Sequence, residues 1–74
     1  MEGVDVLDCR GKRCPLPVIN LAKHSGHAAP GTIVRVLADD PAAALDIPAW
    51  CRMRDREFLG VSIVDGVAAY DVRL

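Results

Sequence analysis

The chain is short of most features that would assign it to a specialised class. Neither charge is in excess: nine Lys and Arg stand against ten Asp and Glu in 74 residues, a formal net charge of −1. That balance disfavours a nucleic-acid module, whose affinity comes largely from cations placed on phosphates, and it equally disfavours an acidic tail. Aromatics are scarce, one Trp, one Tyr and one Phe, which leaves little to stack on bases. No apolar run approaches the ~20 residues that span a bilayer. The opening MEGVDVLD is acidic where a secretory leader would be basic and then apolar. A cytoplasmic protein without membrane or direct nucleic-acid partners is expected. Repeats, linkers and low-complexity stretches are also missing, and the length allows one domain, residues 1–74. The cysteines, Cys9, Cys14 and Cys51, are odd in number and form no CxxC pair, so free thiols are expected and a disulfide framework is not.

What is present is an alternation of strand-like and helix-like segments. Val4 to Cys9 alternates apolar with acidic residues and stops at Arg10-Gly11-Lys12-Arg13. Cys14 to about Ala28 is helical in pattern, with Asn20, Lys23, His24 and His27 on one face and Val18, Leu21 and Ala22 on the other. Because a residue before proline resists the helical region, the bias at Leu16 would shift the start to Pro17. Thr32 to Ala38 reads as a buried strand. Asp40-Pro41 and Asp46-Ile47-Pro48 both look like helix starts, which predicts a short turn at Pro41 to Leu45 and a main helix from about Ile47 to Phe58, closed by Leu59-Gly60. Val61 to Val64, the hairpin signal Asp65-Gly66, and Ala68 to Leu74 complete the chain. In the last strand Ala68, Tyr70, Val72 and Leu74 alternate with Ala69, Asp71 and Arg73, as in a sheet covered on one face only. The order is βαβαββ: an α+β two-layer sandwich with a four-stranded mixed sheet and two helices packed on one face. Strands one, two and three should run parallel and the fourth antiparallel.

Chemistry concentrates in GKRCPLPV, residues 11 to 18. A cysteine just before a helix start can meet unpaired backbone N–H groups and the positive end of the helix dipole, which favour the reactive thiolate. Pro15 and Pro17 have no N–H, so Leu16 and Val18 are the expected donors, and the two prolines should fix where the sulfur points. Arg10, Lys12 and Arg13 add positive charge nearby, with Arg13 closest, and a Cys14 pKa below the ordinary thiol value is expected. The alternative is an inert N-cap-like residue.

Leu7-Asp8, Gly11, Cys14-Pro15-Leu16-Pro17, Pro30-Gly31, Ala38-Asp39-Asp40-Pro41 and Asp46-Ile47-Pro48 followed by Cys51 together resemble the TusA (SirA-like) family of sulfur carriers. The resemblance spans nearly the whole chain and agrees with the βαβαββ reading. It implies a sulfurtransferase-type carrier on which Cys14 accepts sulfane sulfur as a persulfide. The donor would be a cysteine desulfurase or rhodanese, and the acceptor a protein of tRNA thiolation, cofactor assembly or sulfur oxidation. It implies no metal and no organic cofactor. Leu16 stands where the tRNA-modification members typically carry an acidic residue.

Each remaining candidate has two readings. Cys51, near an apolar stripe with Ile47, Trp50 and Phe58, is a packed core thiol or a resolving thiol for Cys14. Cys9 packs beside Leu7 or closes a disulfide with Cys14 under oxidation. Asp39, Asp40 and Asp46 are caps and turn residues or a docking surface for a basic partner. His24 and His27 lie on the polar helix face without the cysteine spacing of a zinc site. Arg52, Arg54 and Arg56 are interleaved with other polar residues as on a solvated face. Against the carrier stands a non-catalytic interaction or regulatory module of the same fold.

Overall fold

In the computed structural model, which describes residues 4–74, the elements are β1 (Val4–Asp8), α1 (Leu16–Ser25), β2 (Ile33–Ala38), α2 (Ala43–Arg54), β3 (Glu57–Val64) and β4 (Val67–Arg73). The sheet order is β1-β2-β4-β3, with β1 parallel to β2 and β4 antiparallel to both of its neighbours. The expected βαβαββ order and strand directions therefore hold. The last strand lies between β2 and β3.

The alternation in β2 and β4 sets the two faces of the sheet. Val34 lies opposite Val72 and Val36 opposite Tyr70, and all four are buried against the helices together with Leu21, Ile47, Trp50 and Cys51. Each side chain of this size that leaves water contributes ~1.5–3 kcal/mol. On the open face the Arg35–Asp71 and Arg73–Glu57 ion pairs cross neighbouring strands. The hairpin turn is Asp65-Gly66 with φ of 51° and 78°, the doubly left-handed geometry of a type I′ turn.

The region from Pro41 to Gly60 departs from the expectation. One continuous helix replaces the expected short turn and separate main helix, and Asp46 lies inside its first turn instead of capping the main helix. Pro48 is internal and lacks the N–H that would reach Ala44. The buried stripe Ala43, Ile47, Trp50 and Cys51 nevertheless runs continuously across it, and that burial outweighs one lost hydrogen bond. The helix also ends earlier than expected. Asp55 takes the left-handed conformation at φ 58° and Arg56 N–H reaches Cys51 C=O at 2.8 Å, a Schellman-type ending without glycine. Phe58, Leu59 and Gly60 therefore belong to β3, where Phe58 reaches the core opposite Val72. The first helix is also shorter than the pattern, starting at Leu16 and ending at Ser25.

Candidate functional site

Parallel pairing of β1 with β2 puts the carboxyl ends of both strands, and the loops that leave them, at one edge of the sheet. The β1–α1 loop carries Cys14 and the β2–α2 loop carries Asp39 and Asp40. Two carboxylates join the loops. Asp39 accepts the Gly11 N–H through both oxygens at 3.0 Å, and Asp40 Oδ2 accepts the Cys14 N–H at 2.6 Å. Gly11 is required here, because the turn from Cys9 to Lys12 puts its φ at 77°. Asp40 also accepts the Ala42 N–H at 3.0 Å as the chain turns into α2. Donation from Cys14 and then from Ala42 holds its carboxyl below the usual range.

Cys14 is exposed, and its Sγ donates to Asp46 Oδ2 at 2.6 Å from the first turn of α2. The Cys14–Pro15 peptide bond is cis. A shallow groove of about 260 Å³ opens beside the sulfur, lined by Pro15, Val18, Ala49, Trp50 and Met53, with Asp46 and Cys14 at its polar end. Met53 is largely exposed and Leu16 nearly half exposed.

The expected electrostatics of the thiol are reversed. The hydrogen bond to Asp46 raises the Cys14 pKa above its ordinary value, with desolvation and the charges of Asp46 and Asp40 acting in the same direction. Leu16 N–H, expected to face the sulfur, donates to Arg13 C=O at 2.8 Å, and among the described residues no side chain caps α1. The cations turn elsewhere: Arg10 pairs with Asp8 at 2.7 Å, and the charge of Arg13 bears on Asp40. Asp39, Asp40 and Asp46 thus have internal partners, and Asp46 meets the thiol itself.

The other candidates lie apart from this site. Cys9 and Cys51 are each 1 % exposed and belong to the core, and all three thiols are free. Cys9 Sγ accepts a long hydrogen bond from Asn20 Nδ2 at 3.6 Å, and burial pushes the Cys51 thiol up. His24 Nε2 lies 2.8 Å from Asp5 Oδ2, with the His27 ring edge-to-face beside it. Sequence reasoning missed the contact of Asp46 with sulfur and the groove wall of Ala49, Trp50 and Met53. The available signal was the βαβ unit, which places both loops together.

Residues 5–73 match the family described as Sulfurtransferase TusA. The chain is similar to the sulfur carrier protein TusA of Pseudomonas entomophila (strain L48), 39% identical over 67 residues that cover 90% of this chain and 84% of that one. Its fold is also that of a SirA-like protein of Desulfitobacterium hafniense whose crystal structure superposes with a TM-score of 0.80 over 95% of both chains, at 22% identity.

Proposed function

The chain belongs to the TusA family of sulfurtransferases, and on that premise we propose that it carries sulfane sulfur as a persulfide on Cys14. A donor protein of the cysteine desulfurase or rhodanese type loads the thiol, and an acceptor protein in a sulfur-trafficking route receives the sulfur. The observation that carries this reading is the separation of the thiols. Cys14 is exposed on a loop in front of α1, whereas Cys9 and Cys51 are closed into the core. Pro15 ends that loop and Pro17 stiffens the first turn of α1, and the hydrogen bonds to Asp39 and Asp40 anchor the loop, so the sulfur is presented at a fixed place. The apolar groove beside it supports a protein partner, since its walls gain most when a second surface covers them. Three unpaired thiols suit a reducing compartment such as the cytoplasm.

Incubation with a cysteine desulfurase and cysteine, or a rhodanese and thiosulfate, should add sulfur to the wild type as a reducible adduct of about 32 Da per sulfur atom on the Cys14 peptide. Cys14→Ser should fold and remain unloaded. Equal loading of that variant would refute the assignment of the carrier thiol.

A further inference from the structure

Around the sulfur of Cys14 the charges oppose ionisation. Asp46 approaches from α2 and Asp40 from the β2–α2 loop. On the β1–α1 loop Arg10 is held by Asp8, the charge of Lys12 bears on Asp8, and Arg13 acts on Asp40. The first turns of α1, Leu16 to Asn20, hold no titratable group, and Ala49, Trp50 and Met53 of α2 add only apolar surface. Among the described residues neither Asp40 nor Asp46 forms an ion pair. A carboxylate can accept from a thiol but has nothing to donate to a thiolate. Loss of the proton therefore leaves two negative groups at the 2.6 Å contact between Sγ and Oδ2. The contact is exposed and at the end of an open groove, within reach of a second molecule.

We propose that Asp46 holds Cys14 as a protonated thiol of lowered nucleophilicity in the free carrier, and that a sulfur donor releases it by placing a lysine or arginine side chain against Asp46. The proposal rests on the carrier reading and specifies the partner that the site accepts. With the carboxylate engaged by a cation, the Cys14 proton passes to solvent and the thiolate attacks the outer sulfur of the donor persulfide. A sulfur–sulfur bond forms on Cys14, the donor's own sulfur–sulfur bond breaks, and the departing donor thiolate takes up a proton. No external oxidant or reductant enters. The same carboxylate repels anionic small disulfides and persulfides, which keeps the unengaged thiol from reacting with them.

Thiol–disulfide exchange tests this without a donor protein. The probes are cystamine, a dication, and 3,3′-dithiodipropionate, a dianion of similar length. The ratio of their rates at Cys14, followed by peptide mapping, is divided by the ratio measured for N-acetylcysteinamide, which removes intrinsic reactivity. A normalised preference for the cation of about tenfold is expected at low salt, falling in 0.5 M salt. Asp46→Asn should reduce it to about twofold or less and should speed alkylation by the neutral reagent iodoacetamide at pH 7. Asp55→Asn, a matched charge loss at the far end of α2, should leave it intact. A normalised ratio near one in the wild type overturns the proposal without reference to any variant. So does a preference that persists in Asp46→Asn, or one lost equally in Asp55→Asn. Failure of this charge preference while Cys14 still loads sulfur removes only the gate. Failure of Cys14 to load sulfur removes the carrier reading.

Discussion

Replacing Leu21 with alanine should raise the reactivity of two thiols and leave the third unchanged. Leu21 is 0 % exposed, lies in the middle of α1, and is among the largest fully buried side chains of the core. Truncation of such a residue costs ~2–5 kcal/mol, the transfer term plus the cavity left behind. For a chain of 74 residues a stability of ~0.05–0.15 kcal/mol per residue gives ~4–11 kcal/mol in total, so the variant keeps only part of it. Cys9 and Cys51, each 1 % exposed, can meet a reagent only when the structure opens. The open population grows tenfold for every ~1.4 kcal/mol lost, so their labelling should accelerate ~30-fold to several thousandfold. Cys14 is exposed and needs no opening; its rate should stay within about a factor of two. The assay is a short pulse of iodoacetamide, quenching, and quantification of the three cysteine peptides by mass spectrometry. Urea titration of the fluorescence of Trp50, the single tryptophan, reports the stability change in the same sample. Equal labelling of Cys51 and Cys14 in the wild type would refute the reasoning, as would an acceleration of Cys14 that matches that of Cys51.

Three further outcomes are expected. Alkylation of Cys14 against pH should show a midpoint above the ordinary thiol value of ~8.5, because the bond to Asp46 raises it. A folded-state pKa above the unfolded one contributes stability that is complete below the unfolded value and lost as pH rises through the folded one. Cys14→Ser should therefore flatten the alkaline limb of Tm against pH, and an unchanged limb would contradict the assignment. Asp8 is lowered to about 2 by the side-chain hydrogen bonds of Arg10, so its contribution is present above the unfolded value near ~3.9 and is lost as pH falls through about 2. Asp8→Asn should remove that part of the acid limb, read as Tm between pH 5 and 2. Asp40→Ala deprives the Cys14 and Ala42 N–H groups of their acceptor, and amide exchange at both should rise about tenfold or more beyond any change at Val36 in the core; equal protection at Cys14 would mean the loop is held by something else.

The sheet was legible in the sequence where period and punctuation agreed. β2 and β4 show their faces in plain alternation, and Asp65-Gly66 announces the turn that the structure contains. The stretch from Pro41 to Gly60 was not, for two physical reasons. Pro48 suggested a helix start, yet the stripe from Ala43 to Cys51 is buried continuously, and tertiary packing overrides a single missing donor. At the other end, Phe58 satisfies a helical spacing from Cys51 as well as a strand position opposite Val72. The true stop is Asp55, which takes the left-handed conformation usually left to glycine. No local signal reports that β4 comes to lie between β2 and β3, since a hairpin fixes only its own two strands.

For the site, position and charge were legible to different degrees. The placement of Cys14 in front of α1 follows from residues within four positions of it. The sign of its electrostatics does not, because the groups that set it lie 26 and 32 residues downstream, at Asp40 and Asp46. Counting the neighbours in sequence, Arg10, Lys12 and Arg13, gives a cationic loop, whereas the folded chain gives Arg10 to Asp8 and brings a carboxylate to the sulfur. Any fold in which β1 and β2 are adjacent and parallel sets its first two βα loops side by side, so a group on one loop always ionises in the field of the other. The thiol chemistry is therefore written as much in the ADDP segment and Asp46 as in the CPLP segment. A substitution at Asp46 should therefore change the reactivity of a cysteine that lies two elements earlier in the chain.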